Sequence, residues 1–413
     1  MSGCRTRDLW GQVVVENRRP SNYAATVGRG MQPTDVRQAN QRAILTLISL
    51  FPGLSNADLA RRTGLAPQTV SAVLGNLDDA RLILRGDVVR GRRGQPATPL
   101  YINPRGAFAV GAEIGWNHVR VTLVGLLGQV IAQYRRDYEH PDASTIFDEL
   151  ASAVGEVTQE LDAAERRRLI GLGLATPGGL GRTVERAGLS AKQSGWAEID
   201  IPAAVAKATG LDVRSYNDGN AASWGEFVVH PTPRPSSFIY LLIDTFVAAG
   251  VIAESRLWEG ASGASGSLGS MVVTDRAGVP CLVDDIASLY ALGQRLAARG
   301  LRLADMLEGR APPEAAGVLD IWVADAAAAL AQAVITTAAV VEHEVAIVET
   351  ALPGDLAERI TAAMTERLAT IGSPGELPRI VAGHIGGSGV AQGAAQLRLF
   401  RRFFSRELQH MQD

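Results

Sequence analysis

The sequence predicts an α/β chain that opens with a winged helix-turn-helix. Three observations carry this: apolar residues recur at helical spacing in three short segments before residue 80, a basic glycine-flanked hairpin follows them, and after Pro104 a strand-hairpin-then-helix layout occurs twice. At 413 residues the chain is long enough for two or three cores rather than one. With 46% apolar and 20% charged residues, its composition is that of a globular protein and not of a disordered one.

Residues 1–33 are polar, Arg-rich and aperiodic, and read as a disordered arm. The winged helix-turn-helix is expected over 34–104. Ile44, Leu45, Leu47 and Ile48 form the apolar stripe of a first helix that stops at Phe51-Pro52-Gly53. Ser55 with Asp58 three residues on is suited to capping a second, short helix, because the hydroxyl can take a main-chain N–H while the carboxylate reaches back. Gly64 supplies the turn, and Pro67 suits the first turn of a third helix. There Val70, Val73, Leu74 and Leu77 recur at i, i+3, i+4 and i+7, which leaves Gln68, Thr69, Ser71 and Asn76 facing outward. Short strands at 82–84 and 100–102 flank Gly91-Arg92-Arg93-Gly94-Gln95-Pro96, the wing.

That constellation points to double-stranded DNA. Amide side chains such as Gln68 and Asn76 can bond base edges bidentately, with Thr69 and Ser71 beside them. Arg92 and Arg93, set between glycines and followed by Gln95, can approach phosphates or a narrow minor groove. The formal net charge of −3 hides a local field: Arg61, Arg62, Arg81, Arg85, Arg90, Arg92 and Arg93 share one short window. The competing reading is a three-helix packing module with a solvated arginine face. Only Cys4 and Cys281 are present, so a disulfide framework and a cysteine-rich zinc site are both excluded within one chain. No apolar run reads as long or clean enough to cross a bilayer, and the first thirty residues lack the apolar stretch of a secretion signal. The expectation is a cytoplasmic protein with no membrane partner.

In the remainder, strands are predicted at 108–114, 119–126 and 130–134, a helix at 145–161 and a buried strand at 169–175. A second cycle gives strands at 238–243 and 248–253, helices at 284–298 and 319–340, and a strand at 345–348. The doubling implies two related lobes facing a cleft, 105–235 and 236–413, with the C-terminal helix returning toward the first lobe.

The stretch Asn40-Gln41-Arg42-Ala43-Ile44-Leu45, the helix start Thr69-Val70-Ser71 and the Gly-Arg-Arg-Gly-Gln-Pro wing, taken in order with the body motifs, resemble the ROK family, which groups sugar-responsive repressors with sugar kinases. The resemblance runs from about Thr34 to the C-terminus. It implies a two-lobed, actin-like (ribonuclease-H-like) ATPase fold behind the winged helix-turn-helix, and a DNA-binding repressor. A dimer is expected too, since two-fold proteins read pseudo-palindromic half-sites. Gln95 stands where the family's repressor branch usually has Arg.

Against the kinase branch the chain departs at three glycine motifs whose bare backbone would cradle phosphates. Asp-x-Gly-Gly-Thr-Lys is matched by Glu113-Ile114-Gly115-Trp116-Asn117-His118, and Gly-Thr-Gly-x-Gly-Gly-Gly by Asp244-Thr245-Phe246-Val247-Ala248-Ala249-Gly250. The glycine pair near the adenosine site becomes Val348-Glu349-Thr350-Ala351. ATP binding, and with it catalysis, is therefore not expected. The sugar pocket is partly kept: Asn217-Asp218-Gly219-Asn220-Ala221-Ala222 matches the family's Asn-Asp-x-Asn-Ala-Ala, though Asn217 and Asp218 can equally cap the next helix. The family's Glu-x-Gly-His becomes Ser267-Leu268-Gly269-Ser270, and its zinc loop shrinks to Gly278-Val279-Pro280-Cys281-Leu282. Lys192 lies where the family often has a sugar-contacting Asn; it favours an acidic ligand or is a surface charge. The expected effector site is Lys192, Asn217, Asp218, Ser267 and Ser270, taking a small sugar or sugar acid, with no cofactor, no metal and no catalytic residue. His118, His343 and His384 show no ligand spacing and read as solvated or core histidines. A sugar kinase with an appended DNA-binding domain, and a regulator with a vestigial pocket answering to a protein partner, stay open beside this reading.

Overall fold

A computed structural model describes residues 32–88, 98–138, 141–178, 180, 196, 199–371 and 376–404. Arg92, Arg93 and Gln95 of the wing, Lys192, and nearly all of the expected arm lie outside those residues.

The N-terminal helices are α1 (Pro33–Leu50), α2 (Asn56–Thr63) and α3 (Pro67–Asp79). The capping box at α2 forms: Ser55 Oγ accepts from the Asp58 N–H at 3.3 Å and the Asp58 carboxylate accepts from the Ser55 N–H at 2.9 Å. Gly64 ends α2 at φ 68°, a left-handed conformation that a side chain disfavours. Strand β1 (Ile83–Arg85) runs antiparallel to β2 (Leu100–Ile102), with Ile83 opposite Ile102. Ile44, Leu45, Ile48, Leu59, Val70, Leu74 and Leu77 close a core between the helices, so the spacing read from the sequence is the buried face.

The body contains two five-stranded sheets of the same plan. In the first, β3 (Phe108–Ile114), β4 (His118–Gly125) and β5 (Val130–Asp137) form an antiparallel meander. Helices α4 (Ile146–Val157) and α5 (Ala163–Arg166) lead to β6 (Leu169–Thr176), and α6 (Ile201–Thr209) leads to β7 (Val213–Asn217), giving the order β5-β4-β3-β6-β7. Helix α7 (Asp218–Val229) then precedes the second meander, β8 (Phe238–Ile243), β9 (Val247–Ala253) and β10 (Arg256–Leu257). A ribbon of β11 (Val272–Thr274) and β12 (Pro280–Leu282) follows, with α8 (Val283–Ala287), α9 (Leu289–Ala297), α10 (Leu303–Leu307) and α11 (Ala316–Ala338). Strand β13 (Val345–Thr350) joins β8 in parallel, α12 (Leu356–Thr370) crosses over, and β14 (Arg379–Ala382) completes the order β10-β9-β8-β13-β14. The chain ends in α13 (Gly389–Phe403).

Two expectations change. The helix expected at 284–298 is two helices, because Ser288 is extended (φ −76°, ψ 158°) and caps α9 by accepting from the Ala291 N–H at 3.1 Å. The stretch Pro313–Ala338 is long and apolar enough to span a bilayer by length and composition, which the sequence reading denied. In the fold it is a core helix: Trp322, Ala326, Leu330 and Val334 are fully buried in the second-lobe core, and Asp320 and Asp325 pair with Arg359 and Arg295 at 2.6 and 2.7 Å.

Helix α13 is pressed against both β3 and α7 where glycine leaves room. A Cβ on Gly111 would stand 1.8 Å from the Ala391 carbonyl oxygen, and one on Gly393 would stand 1.8 Å from that of Ala221. Its Ala395 and Leu399, with Ala109 of β3 and Val124 of β4, join the same hydrophobic core as Ile44, Leu74 and Leu100. The winged helix-turn-helix thus shares an interior with the first sheet, and a shift of α13 reaches it through packed atoms.

Candidate functional site

Gln68, Thr69 and Ser71 are exposed on the first turns of α3. Ser71 is tied down as well: its hydroxyl donates to the Pro67 carbonyl at 2.9 Å and accepts from Asn56 Nδ2 at 2.8 Å, so only its remaining lone pair faces out. Asn76 is exposed but does not share that end. It lines a cavity of about 260 Å³ with Gln38, Arg42, Arg402 and Phe403, where α1 and α3 meet the end of α13. All four residues face outward as expected, but two helical turns set Asn76 about 10 Å along the axis from Thr69, at the end of α3 that meets α13. Nearby arginines are engaged: Arg61 pairs with Asp58, Arg85 with Asp78, and Arg62 lies 4.2 Å over the Phe51 ring.

In the body, the turn after β3 and the turn after β8 come face to face, because each follows the first strand of its sheet. Trp116 and Phe246 meet edge-on at 5.2 Å with an interplanar angle of 76°, and Phe246 continues to Tyr290 at 5.7 Å. Two cavities adjoin this aromatic wall. The smaller, about 130 Å³, brings together Asn217, Asp218, Ser267 and Ser270, with Asp244, Phe246 and Asp284. The larger, about 1090 Å³, is lined among others by His118, Arg120, Arg135, Asp137, Asp244 and Glu308, with Trp116 bordering both. Trp116 and Phe246, which replace glycines of two loops, pack on each other, and the large cavity is open beside Trp116. Trp116 lines both cavities, as do Glu113, Leu242, Asp244 and Val390, whereas Phe246 lines only the smaller.

Asn217 plays the structural part foreseen for it, capping α7 by accepting from the Asn220 N–H at 3.3 Å, while also lining the small cavity. Burial pushes the Asp218 carboxyl up to about 7; the Gly219 N–H, donating at 2.8 Å, pulls it down, and the neighbouring Glu113 and Asp244 raise it again. Asp244 is raised by the same burial, partly offset by His118. Ser267 donates to the Ala264 carbonyl at 3.0 Å, and both it and Ser270 are exposed.

The site also contains a group the sequence reading passed over. Glu113 is buried, 3.1 Å from His118 Nε2 and 3.5 Å from an Arg120 nitrogen. Burial opposes its charge, but His118 and Arg120 hold its carboxyl below the usual range. Burial likewise opposes the His118 cation, yet Glu113 raises its pKa above the ordinary value. Asn117 Oδ1 accepts from His118 Nδ1 at 2.8 Å, and Tyr138 Oη lies 2.8 and 2.6 Å from the carbonyl oxygens of Gly115 and His118. The signal was present: Glu113 and Arg120 are opposite charges inside two apolar strand runs, and the antiparallel register makes them direct partners. Cys281 has its Sγ 3.8 Å from the Val273 carbonyl oxygen across the β11–β12 ribbon.

Residues 109–399 match the ROK family. The chain belongs to the ROK family. Residues 37–83 match a winged helix-turn-helix DNA-binding domain, a segment that contains α3. The xylose repressor of Bacillus subtilis is 26% identical over 240 residues, covering 58% of this chain and 62% of that protein. A crystal structure of a ROK family transcriptional regulator, a homologue of the Escherichia coli MLC protein, superposes with a TM-score of 0.67 at 19% identity over 91% of this chain and 99% of that one. A ROK family glucokinase from Streptomyces griseus, solved with glucose and AMPPNP, superposes with a TM-score of 0.56 at 18% identity over 70% of this chain and 99% of that one. The two-sheet body is thus the ROK fold that regulators and kinases share, and the helix-turn-helix precedes it here.

Proposed function

We propose that this chain is a ROK-type transcriptional repressor that binds double-stranded DNA as a homodimer in the cytoplasm and does not phosphorylate sugars. The observation that carries the reading is the exposed Gln68, Thr69 and Ser71 turn of α3, held in a winged helix-turn-helix whose interior continues into the ROK body. Arg92, Arg93 and Gln95 supply the wing contacts to phosphate and minor groove. Asn217, Asp218, Ser267 and Ser270 form the effector site, and Lys192, outside the described residues, belongs to it by the family resemblance alone. An Asp that is about half protonated near neutrality can donate to or accept from a hydroxyl, which suits a sugar or sugar acid. The cavity's volume of about 130 Å³ suits a small effector. Xylose, named in the Bacillus subtilis relative, is the first to test. Binding there shifts one lobe against the other, and α13 passes the shift to the shared core.

Absence of kinase activity rests on the three replaced glycine motifs and on the Trp116–Phe246 contact where two of those loops meet. The direct test is footprinting of full-length protein on DNA upstream of its own gene and its neighbours. Protection of paired half-sites, weakened roughly 5- to 150-fold by Gln68→Ala, is expected. No protected site across those regions, or phosphorylation of any sugar by the purified protein, would overturn the reading.

A further inference from the structure

Outside the three cavities, one side-chain cluster has the composition of a metal centre, and the ROK resemblance does not point to it. Glu226 lies in α7 and is fully buried; His230 is one turn further on, at the end of that helix; His384 comes from the segment between β14 and α13. Glu226 Oε1 stands 2.8 Å from His384 Nδ1 and 3.1 Å from His230 Nδ1. The two imidazoles are nearly perpendicular, at 88°, with centroids 4.8 Å apart, and one ligand atom from each of the three residues falls within 4.8 Å of the others.

We propose that Glu226, His230 and His384 form a binding site for a divalent transition ion of the zinc class. Metal–ligand bonds of about 2.0–2.1 Å in a tetrahedron set ligand atoms about 3.3 Å apart, so the two carboxylate–imidazole edges need to open by only about half an ångström or less. Two imidazole nitrogens and one carboxylate oxygen are the donors that zinc, cobalt and nickel accept, whereas magnesium and calcium favour all-oxygen shells. The supporting shell is in place: Glu226 Oε2 accepts from the main-chain N–H groups of His384 and Ile385 at 2.9 and 3.0 Å, which fixes Oε1 toward the rings. The His384 side chain is 44% exposed, giving the ion a way in and leaving a fourth position for water. Without metal, each neutral ring donates its Nδ1–H to Oε1; when Nδ1 turns to the ion each ring carries its proton on Nε2 instead, so both rings stay neutral, no net proton is released, and nothing is oxidised or reduced.

An ion held there ties α7 to the segment that launches α13. Because α13 carries Ala395 and Leu399 into the core of the winged helix-turn-helix, occupancy stiffens the connection between body and DNA-binding end. His230 and His384 are far apart in sequence, and only the return of the chain from β14 brings them together.

The test uses full-length, tag-free protein, stripped with chelator, and titrated with Co²⁺ while visible d–d absorption is recorded, followed by Zn²⁺ competition. One saturating equivalent with an apparent Kd below about 100 μM, displaced by zinc, is expected. His384→Ala removes a half-exposed ring and should fold by circular dichroism, yet bind at least about tenfold more weakly. Zinc should raise the Tm of the parent protein and not that of His384→Ala. Cys281→Ser should bind like the parent. The proposal fails if no saturable cobalt signal appears, or if His384→Ala and His230→Ala bind cobalt as the parent does.

Discussion

Replacing Asp218 by Asn removes one titration and little else, because the amide keeps the shape and the oxygen that the Gly219 N–H meets at 2.8 Å. Burial lifts the folded carboxyl from its ordinary 3.8 to about 7. The native state therefore holds a proton that the unfolded chain has already released. The sign follows: this carboxyl's contribution to stability is full below 3.8 and is lost as pH rises through about 7. A rise of about three units corresponds to about 4 kcal/mol across the whole range, of which about 2.5 kcal/mol falls between about pH 5 and pH 8. The assay is urea unfolding of parent and Asp218→Asn at those two pH values, followed by tryptophan fluorescence. Relative to the parent, the Asn variant should gain about 2.5 kcal/mol on going from about pH 5 to about pH 8. A difference that stays constant within about 0.5 kcal/mol would show that this carboxyl ionises normally, and the electrostatic account of the small cavity would be refuted.

Gly111→Ala places a Cβ 1.8 Å from the main-chain oxygen of Ala391, which cannot move without shifting α13, so a loss of at least about 3 kcal/mol or failure to accumulate soluble protein is expected. Gly155→Ala, in α4 with open space around the added carbon, is the matched control and should be neutral or stabilising by up to about 1 kcal/mol in the same thermal melts. Glu165 meets Arg105 at 2.5 and 2.7 Å; that pairing, helped by the Asp162 main chain and opposed by burial, holds its carboxyl down at about 2. Its contribution is present above the ordinary 4.5 and lost as pH falls through about 2. Glu165→Gln should therefore cost about 1 kcal/mol at neutral pH in urea unfolding, and progressively less in acid.

Local physics made much of this fold readable. The capping box at Ser55 and Asp58, the buried spacing of Val70, Val73, Leu74 and Leu77, and the apolar runs that became β3, β4 and β8 all follow from short-range rules, and each has its place in the structure. The departures arise where long-range packing decides. Ser288 breaks a helix that periodicity alone would continue, and the Ala-rich α11 passes for a membrane span because a helix buried in a large core needs few polar residues. Asn76 has the right periodicity for the reading face but meets the end of α13, which no local pattern could announce. In the cleft, the substitutions at Trp116 and Phe246 were visible as departures from glycine loops. That the two rings touch, and that a large cavity survives beside them, depends on two turns from different sheets being brought together.

Uptake of nucleotide by the open cleft is what would distinguish a kinase from a regulator. Isothermal calorimetry of full-length protein with MgATP, run with and without xylose, should give only heats of dilution up to about millimolar nucleotide, because Trp116, Asp244 and Phe246 stand where the family's kinases have glycine loops. A saturable one-to-one isotherm, with or without the sugar, would contradict the regulator reading.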